Sequence, residues 1–129
     1  ESKLELKKNI EYDMFDYKFV KSSNIPKIQL YTDPINKLKH QTGGEVWLCA
    51  EVLLKFIEHY RNEFAKNKFI LELGCGTGTV GIVTKCILNS FPNNNCKILL
   101  TDKFCCLPNK NIKHIFPNDD SITCMVLDW

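Results

Sequence analysis

An acid, three glycines at alternate positions and a second acid one strand further on are the residues of this chain best suited to chemistry. They lie in the stretch FILELGCGTGTVGI, residues 69–82, and at Asp102. The apolar run Phe69, Ile70, Leu71 reads as a buried strand that ends at Glu72. Gly74, Gly76 and Gly78 then turn the chain into a helix that starts near Thr79. Such a strand, turn and helix N-terminus present backbone N–H groups and the positive end of a helix dipole to a ligand, which makes a small-molecule cofactor site.

Two registers of the turn compete. Gly76-x-Gly78-x-x-Gly81 satisfies the dinucleotide pattern, a weak match on its own. Gly74-x-Gly76-x-Gly78 behind Glu72 fits S-adenosylmethionine. Either ligand wants an acid at the end of the next strand to accept two ribose hydroxyls, so Asp102 serves both. Three other features favour the methyl donor. A dinucleotide turn must approach a pyrophosphate, beside which Glu72 has no task, whereas a methyl donor brings an ammonium and a sulfonium to that acid. Trp47, just after Gly43-Gly44, is placed to offer an indole face to a cation. Trp129, which ends Leu127-Asp128-Trp129, is placed to bound an adenine pocket.

The elements that must position these residues follow from the apolar periodicity. Phe15, Tyr17 and Phe19 share one face of a strand that ends at Ser22-Ser23-Asn24, and Ile28 and Leu30 share a face of a partner strand over residues 27–31. Asp33-Pro34 closes it, and a polar loop covers residues 36–44. From Val46 the period is helical: Val46, Ala50, Leu53, Ile57 and Tyr60 fall on one stripe, with Glu51, Lys55, Glu58 and Arg61 outside it. The strand at residues 69–73 follows, then a helix over 79–89 and a strand ending at Thr101-Asp102. A shorter helix within residues 104–115 is interrupted by Pro108, and a last strand runs over 122–127. A helix followed by β–α–β–α–β with unbroken apolar strands predicts an α/β fold, a parallel sheet covered on both faces. The division expected is a β-extension over residues 1–40 and a cofactor-binding domain over 41–129.

Composition narrows the classes. At 129 residues the chain makes one domain with a modest core, and 44% apolar with 25% charged residues is ordinary for a globular protein. A net charge of +2 and a single arginine, Arg61, argue against a nucleic-acid surface. No apolar run reaches the ~20 residues that span a bilayer, so no membrane partner is expected. The seven cysteines form no CxxC pair and no zinc spacing with His40, His59 or His114, so no metal is expected. They read as reduced structural thiols of a cytoplasmic or nuclear protein, with nothing beside the vicinal Cys105-Cys106 to lower a thiol pKa.

Four segments carry a resemblance: TGGEVWLCAEVLLKFI, then ILELGCGTGTVGI, then ILLTD, then VLDW. In this order they resemble the class I, seven-β-strand methyltransferases, and more narrowly methyltransferase family sixteen, over about residues 27–129. That group includes protein-lysine methyltransferases acting on chaperones, AAA ATPases and translation elongation factors. The resemblance implies a Rossmann-like, doubly wound sheet of which residues 41–129 supply the first three parallel strands. It implies that Trp47 contacts S-adenosylmethionine, and that Gly74, Cys75, Gly76 and Gly78 form the turn under its amino-acid moiety. Glu72 would act on the methionine end, Asp102 would bind the ribose hydroxyls and Trp129 would pack near the adenine. The partner it implies is a protein whose lysine side chain is methylated.

The family's acid-x-x-Tyr motif, which follows a fourth strand, has no counterpart in these residues, so no catalytic residue is assigned. A strand at residues 69–73 built to be central then becomes an edge. The expectation is a fragment of a longer enzyme, completed by a C-terminal half, by a second copy pairing through that edge, or by cofactor-assisted packing. A catalytically inactive binding module is the alternative, and a nicotinamide-dependent oxidoreductase a remote one.

Overall fold

A computed structural model describes residues 11–22, 24–35 and 41–128. Residues 36–40 of the expected polar loop, and Trp129, lie outside the described residues. The N-terminal strands are β1 (Asp13–Tyr17) and β2 (Ile28–Thr32), paired antiparallel with Phe15 opposite Leu30 and Tyr17 opposite Ile28. Alternation puts Tyr17, Ile28 and Leu30 in the core while Met14, Asp16 and Gln29 face outward.

A 3₁₀ turn over Gln41–Gly44 leads into α1 (Leu48–His59) and the short α2 (Arg61–Phe64). The α1 stripe differs from the sequence reading. Leu54, Ile57 and Glu58 are the buried residues, whereas Leu53 and Tyr60 are exposed. Glu58 belongs inside because its carboxylate accepts the Val20 N–H at 2.9 and 3.0 Å and the Lys21 N–H at 2.5 Å, which fastens the chain after β1 to the helix.

Three parallel strands follow: β3 (Phe69–Leu73), β4 (Lys97–Asp102) and β5 (Ile122–Val126), in the order β3-β4-β5. Glu72 pairs with Leu100, and Leu100 with Cys124. The crossovers are α3 (Thr79–Asn89) and α4 (Cys106–Ile115). This is the Rossmann-like α/β arrangement expected, with one correction. A Cβ at Gly81 of α3 would meet Leu100 and Glu72, and one at Gly78 would meet Pro108 of α4 and Leu100, so both helices lie on the Glu72–Leu100 face. Right-handed crossovers between strands added in one direction put every helix on the same side. Phe69, Leu71, Leu73 and Met125 occupy the opposite face and are exposed.

Pro108 does not interrupt α4. It stands in the first turn after the N-terminal residue Cys105, where its missing N–H has no intrahelical partner to lose, and the Asn109 N–H makes the first helical bond, to Cys105 O at 3.0 Å. The hairpin packs on α4 rather than on β3. Buried Asn111 is the joint: its Oδ1 accepts the Tyr31 N–H at 2.7 Å, and its Nδ2 donates to Tyr31 O at 3.0 Å and Thr77 O at 2.9 Å.

Candidate functional site

The turn after β3 takes a conformation open mainly to glycine. Gly74, Gly76 and Gly78 have φ of 65°, 56° and 81°, all in the left-handed region. The Cys75 N–H donates to Thr101 O at 2.9 Å and the Gly78 N–H to Cys75 O at 2.8 Å, which lays the turn over the end of β4. A Cβ at Gly76 would stand 3.2 Å from Gly43 O, so the 3₁₀ turn before α1 approaches this backbone closely.

These segments surround a cleft of about 540 Å³. Trp47, Glu72, Gly74, Cys75, Gly76 and Asp102 all line it. Gly78 does not; it caps α3 and packs on Pro108, Ile82 and Leu100, so it shapes the turn from behind. Trp129 lies outside the described residues. The sequence reading missed Thr77 and Thr79, whose hydroxyls are 2.6 Å apart at the α3 N-terminus, and Phe104 on the loop after Asp102. Their signal was proximity to the glycines and to Asp102. It also missed that Val46, Ala50 and Leu53 face the cleft rather than the core.

Two carboxyl groups line the cleft in different surroundings. Asp102 Oδ2 accepts the Gly76 N–H at 2.7 Å, and Oδ1 has only a 3.4 Å contact from the Phe104 N–H, which leaves acceptor capacity toward a ligand. Glu72 is the opposite case. Its Oε2 is buried without a hydrogen-bond partner beside Gly81. Burial pushes its pKa up to about 7; the nearby Gly81 backbone N–H works against this, and Cys124 and Asp102 add to it. A buried carboxyl oxygen so poorly satisfied, at the edge of a cleft, has acceptor capacity left over.

At the mouth, Trp47 is 52% exposed and its indole N–H donates to Thr42 O at 3.0 Å, fixing the ring beside the turn. Behind the cleft, three thiols meet. The Cys124 thiol donates to Cys105 Sγ at 3.1 Å, and Cys75 is a further thiol neighbour of Cys124. The Cys75 and Cys105 thiols beside it hold the Cys124 pKa down to about 7, whereas burial and Cys124 push Cys105 up to about 12. The thiol partner of Cys105 is thus Cys124 rather than the vicinal Cys106, and the Cys105 pKa is raised, not lowered.

The model of the lysine methyltransferase family matches residues 30–129. No match was found among curated proteins. The matched span runs from the second hairpin strand through every residue of the cleft, and on that footing the chain belongs to the lysine methyltransferase family.

Proposed function

We propose that this chain binds S-adenosylmethionine and serves the transfer of its methyl group to a lysine side chain of a protein. The observation that carries the reading is the buried, poorly satisfied Oε2 of Glu72 on one side of the glycine turn, with the Asp102 carboxyl on the other. The residues fit the ligand. Asp102 has the acceptor capacity two ribose hydroxyls need, and Glu72 offers a charge that an ammonium and a sulfonium would favour. The α3 N-terminus at Thr77 and Thr79 suits the carboxylate of an amino-acid moiety. Trp47 would cover the cation, and Trp129 is assigned to the adenine from the sequence alone.

When bound, S-adenosylmethionine supplies an electrophilic methyl group on sulfur. The chain's own residues have simpler tasks. Asp102, oriented by the Gly76 N–H, would hold the nucleoside end, and the glycine turn would let backbone approach the amino-acid end. Trp47 narrows the mouth and excludes water from the transfer path. The acceptor nitrogen must arrive deprotonated, and no residue is assigned to take its proton.

Seven free cysteines support a reducing compartment, the cytosol or nucleus. Among the described residues no helix is long and apolar enough to cross a membrane. The test of the reading is methyl transfer itself. Protein incubated with methyl-labelled S-adenosylmethionine and a cell lysate is expected to label protein lysines, identified by mass spectrometry. Label on nucleic acid or on arginine would overturn the lysine assignment. Binding of the donor with no label anywhere would favour an inactive binding module.

A further inference from the structure

The loop from Asp102 to Cys105 joins the end of β4 to the start of α4, and it carries Asp102 and Phe104 into the cleft. Cys105, at its end, stands at the N-terminus of α4. Cys124 is in the middle of the neighbouring strand, opposite Leu100. The two sulfurs are 3.1 Å apart, inside van der Waals contact, and both residues are partly exposed. Buried Cys75, which belongs to the glycine turn, is a second thiol neighbour of Cys124. One thiol thus has two thiol neighbours, directly behind the proposed donor site.

We propose that Cys105 and Cys124 are a peroxide-sensitive pair that closes to a disulfide and restrains the Asp102 loop, so that oxidation weakens donor binding. The regulatory half rests on the cofactor reading above; the disulfide itself does not. Cys124 is the attacking group, because of the two thiols 3.1 Å apart its pKa is the one held down, to about 7, while that of Cys105 is raised. The Cys124 thiolate attacks one oxygen of hydrogen peroxide and the O–O bond breaks. Hydroxide leaves, takes up the proton the thiol gave away and becomes water, and Cys124 is left as the sulfenic acid. The Cys105 sulfur then attacks the Cys124 sulfur. The S–O bond breaks, and the hydroxyl leaves with the Cys105 proton as a second water. Two thiols are oxidised to one disulfide, and one peroxide is reduced to two waters.

Bonding brings the sulfurs to about 2.05 Å, about 1 Å closer than they stand. β5 is hydrogen-bonded to β4 as far as Asp102, so the displacement falls on the loop beyond it, on Phe104 and on the 3.4 Å contact from the Phe104 N–H to Asp102 Oδ1. Cys49 and Cys106 are more exposed than either partner but have no thiol within reach, so exposure alone would single them out instead.

The test is peroxide titration of the purified chain, followed by non-reducing peptide mapping. The expected product has lost two hydrogens, links Cys105 to Cys124, reverts with dithiothreitol, and forms unchanged in Cys106→Ser. In Cys105→Ser, Cys124 is expected to persist as a sulfenic acid trapped by dimedone. Oxidation of Cys49 or Cys106 ahead of Cys124, or a link between any other two cysteines, would overturn the pair. In the second arm S-adenosylhomocysteine is titrated into reduced and oxidised protein, with about a tenfold loss of affinity expected on oxidation. Equal affinity would overturn the regulatory half. Failure of the reduced protein to bind would overturn the cofactor reading instead, and with it the regulatory half, while the peptide map still decides the thiol pair.

Discussion

The Gly76 N–H donates to Asp102 Oδ2 at 2.7 Å, so the glycine turn and the acid of the next strand form one unit. Each sets the other's position. The turn reaches the end of β4 through the Cys75 N–H bond to Thr101, and Asp102 is held from the far side where its carbonyl accepts the Leu127 N–H at 3.0 Å. A ligand that takes the remaining oxygen of Asp102 meets an acceptor already oriented.

Asp102→Ala removes that acceptor and leaves the Gly76 N–H without its partner. Affinity for S-adenosylhomocysteine is expected to fall about thirtyfold, the equivalent of roughly 2 kcal/mol. Cys106→Ser, exposed and outside the cleft, is expected to bind as the parent does. Calorimetric titration of the three proteins checks this.

Glu72→Gln should separate stability from binding. The folded-state pKa of Glu72, about 7, lies above its ordinary 4.5, so the folded protein holds an extra proton between those values. Its contribution to stability therefore falls as pH rises through that window, and the full penalty, about 3 kcal/mol, is present above pH 7. Gln carries no such penalty. The ligand-free variant is expected to be more stable than the parent at pH 8 and equal to it near pH 4.5, while binding the cationic donor more weakly. Urea melts at the two pH values measure the first effect.

Gly76→Ala adds a Cβ 3.2 Å from Gly43 O at a φ of 56°. A loss of about 1–2 kcal/mol is expected, seen as a Tm lower by several degrees.

Asn111→Ala unties the hairpin from the turn, since Asn111 bridges Tyr31 to Thr77. The expected cost is about 2–3 kcal/mol, because the Tyr31 N–H loses a partner as well. Asn111→Asp should cost more than Asn111→Ala. It keeps the acceptor for Tyr31 but aims a carboxylate at two carbonyl oxygens. Denaturant midpoints of the two variants give the order.

Leu71 stands at the middle of β3, with Phe69, Leu71 and Leu73 exposed by 56%, 51% and 60%. An apolar edge of this kind invites pairing. The chain is expected to self-associate with rising concentration, and Leu71→Lys to reduce this, as light scattering would register.

Local chemistry wrote the site plainly. Three alternating glycines can hold three positive φ values, and an acid at or one residue before the end of each of two successive strands is visible in the residues themselves. What stayed hidden depends on neighbours distant in sequence. Glu58 reads as a surface residue until the Val20 and Lys21 N–H groups arrive from the N-terminal segment. The Cys105–Cys124 contact exists only because β5 pairs with β4. Asn111 could have been noticed as a polar residue among Leu107, Ile112 and Ile115 on α4, the mark of a buried side chain with fixed partners. Pro108 was misjudged because its effect depends on the helical turn it occupies, and the helix start was not legible to within a turn.

The most direct measurement is calorimetric titration of the reduced protein with S-adenosylmethionine, S-adenosylhomocysteine and NAD in parallel. The expected result is one-to-one binding of the first two and none of NAD. Binding of NAD alone, or of none of the three, would contradict the assignment of the Gly74–Gly78 turn to a methyl donor.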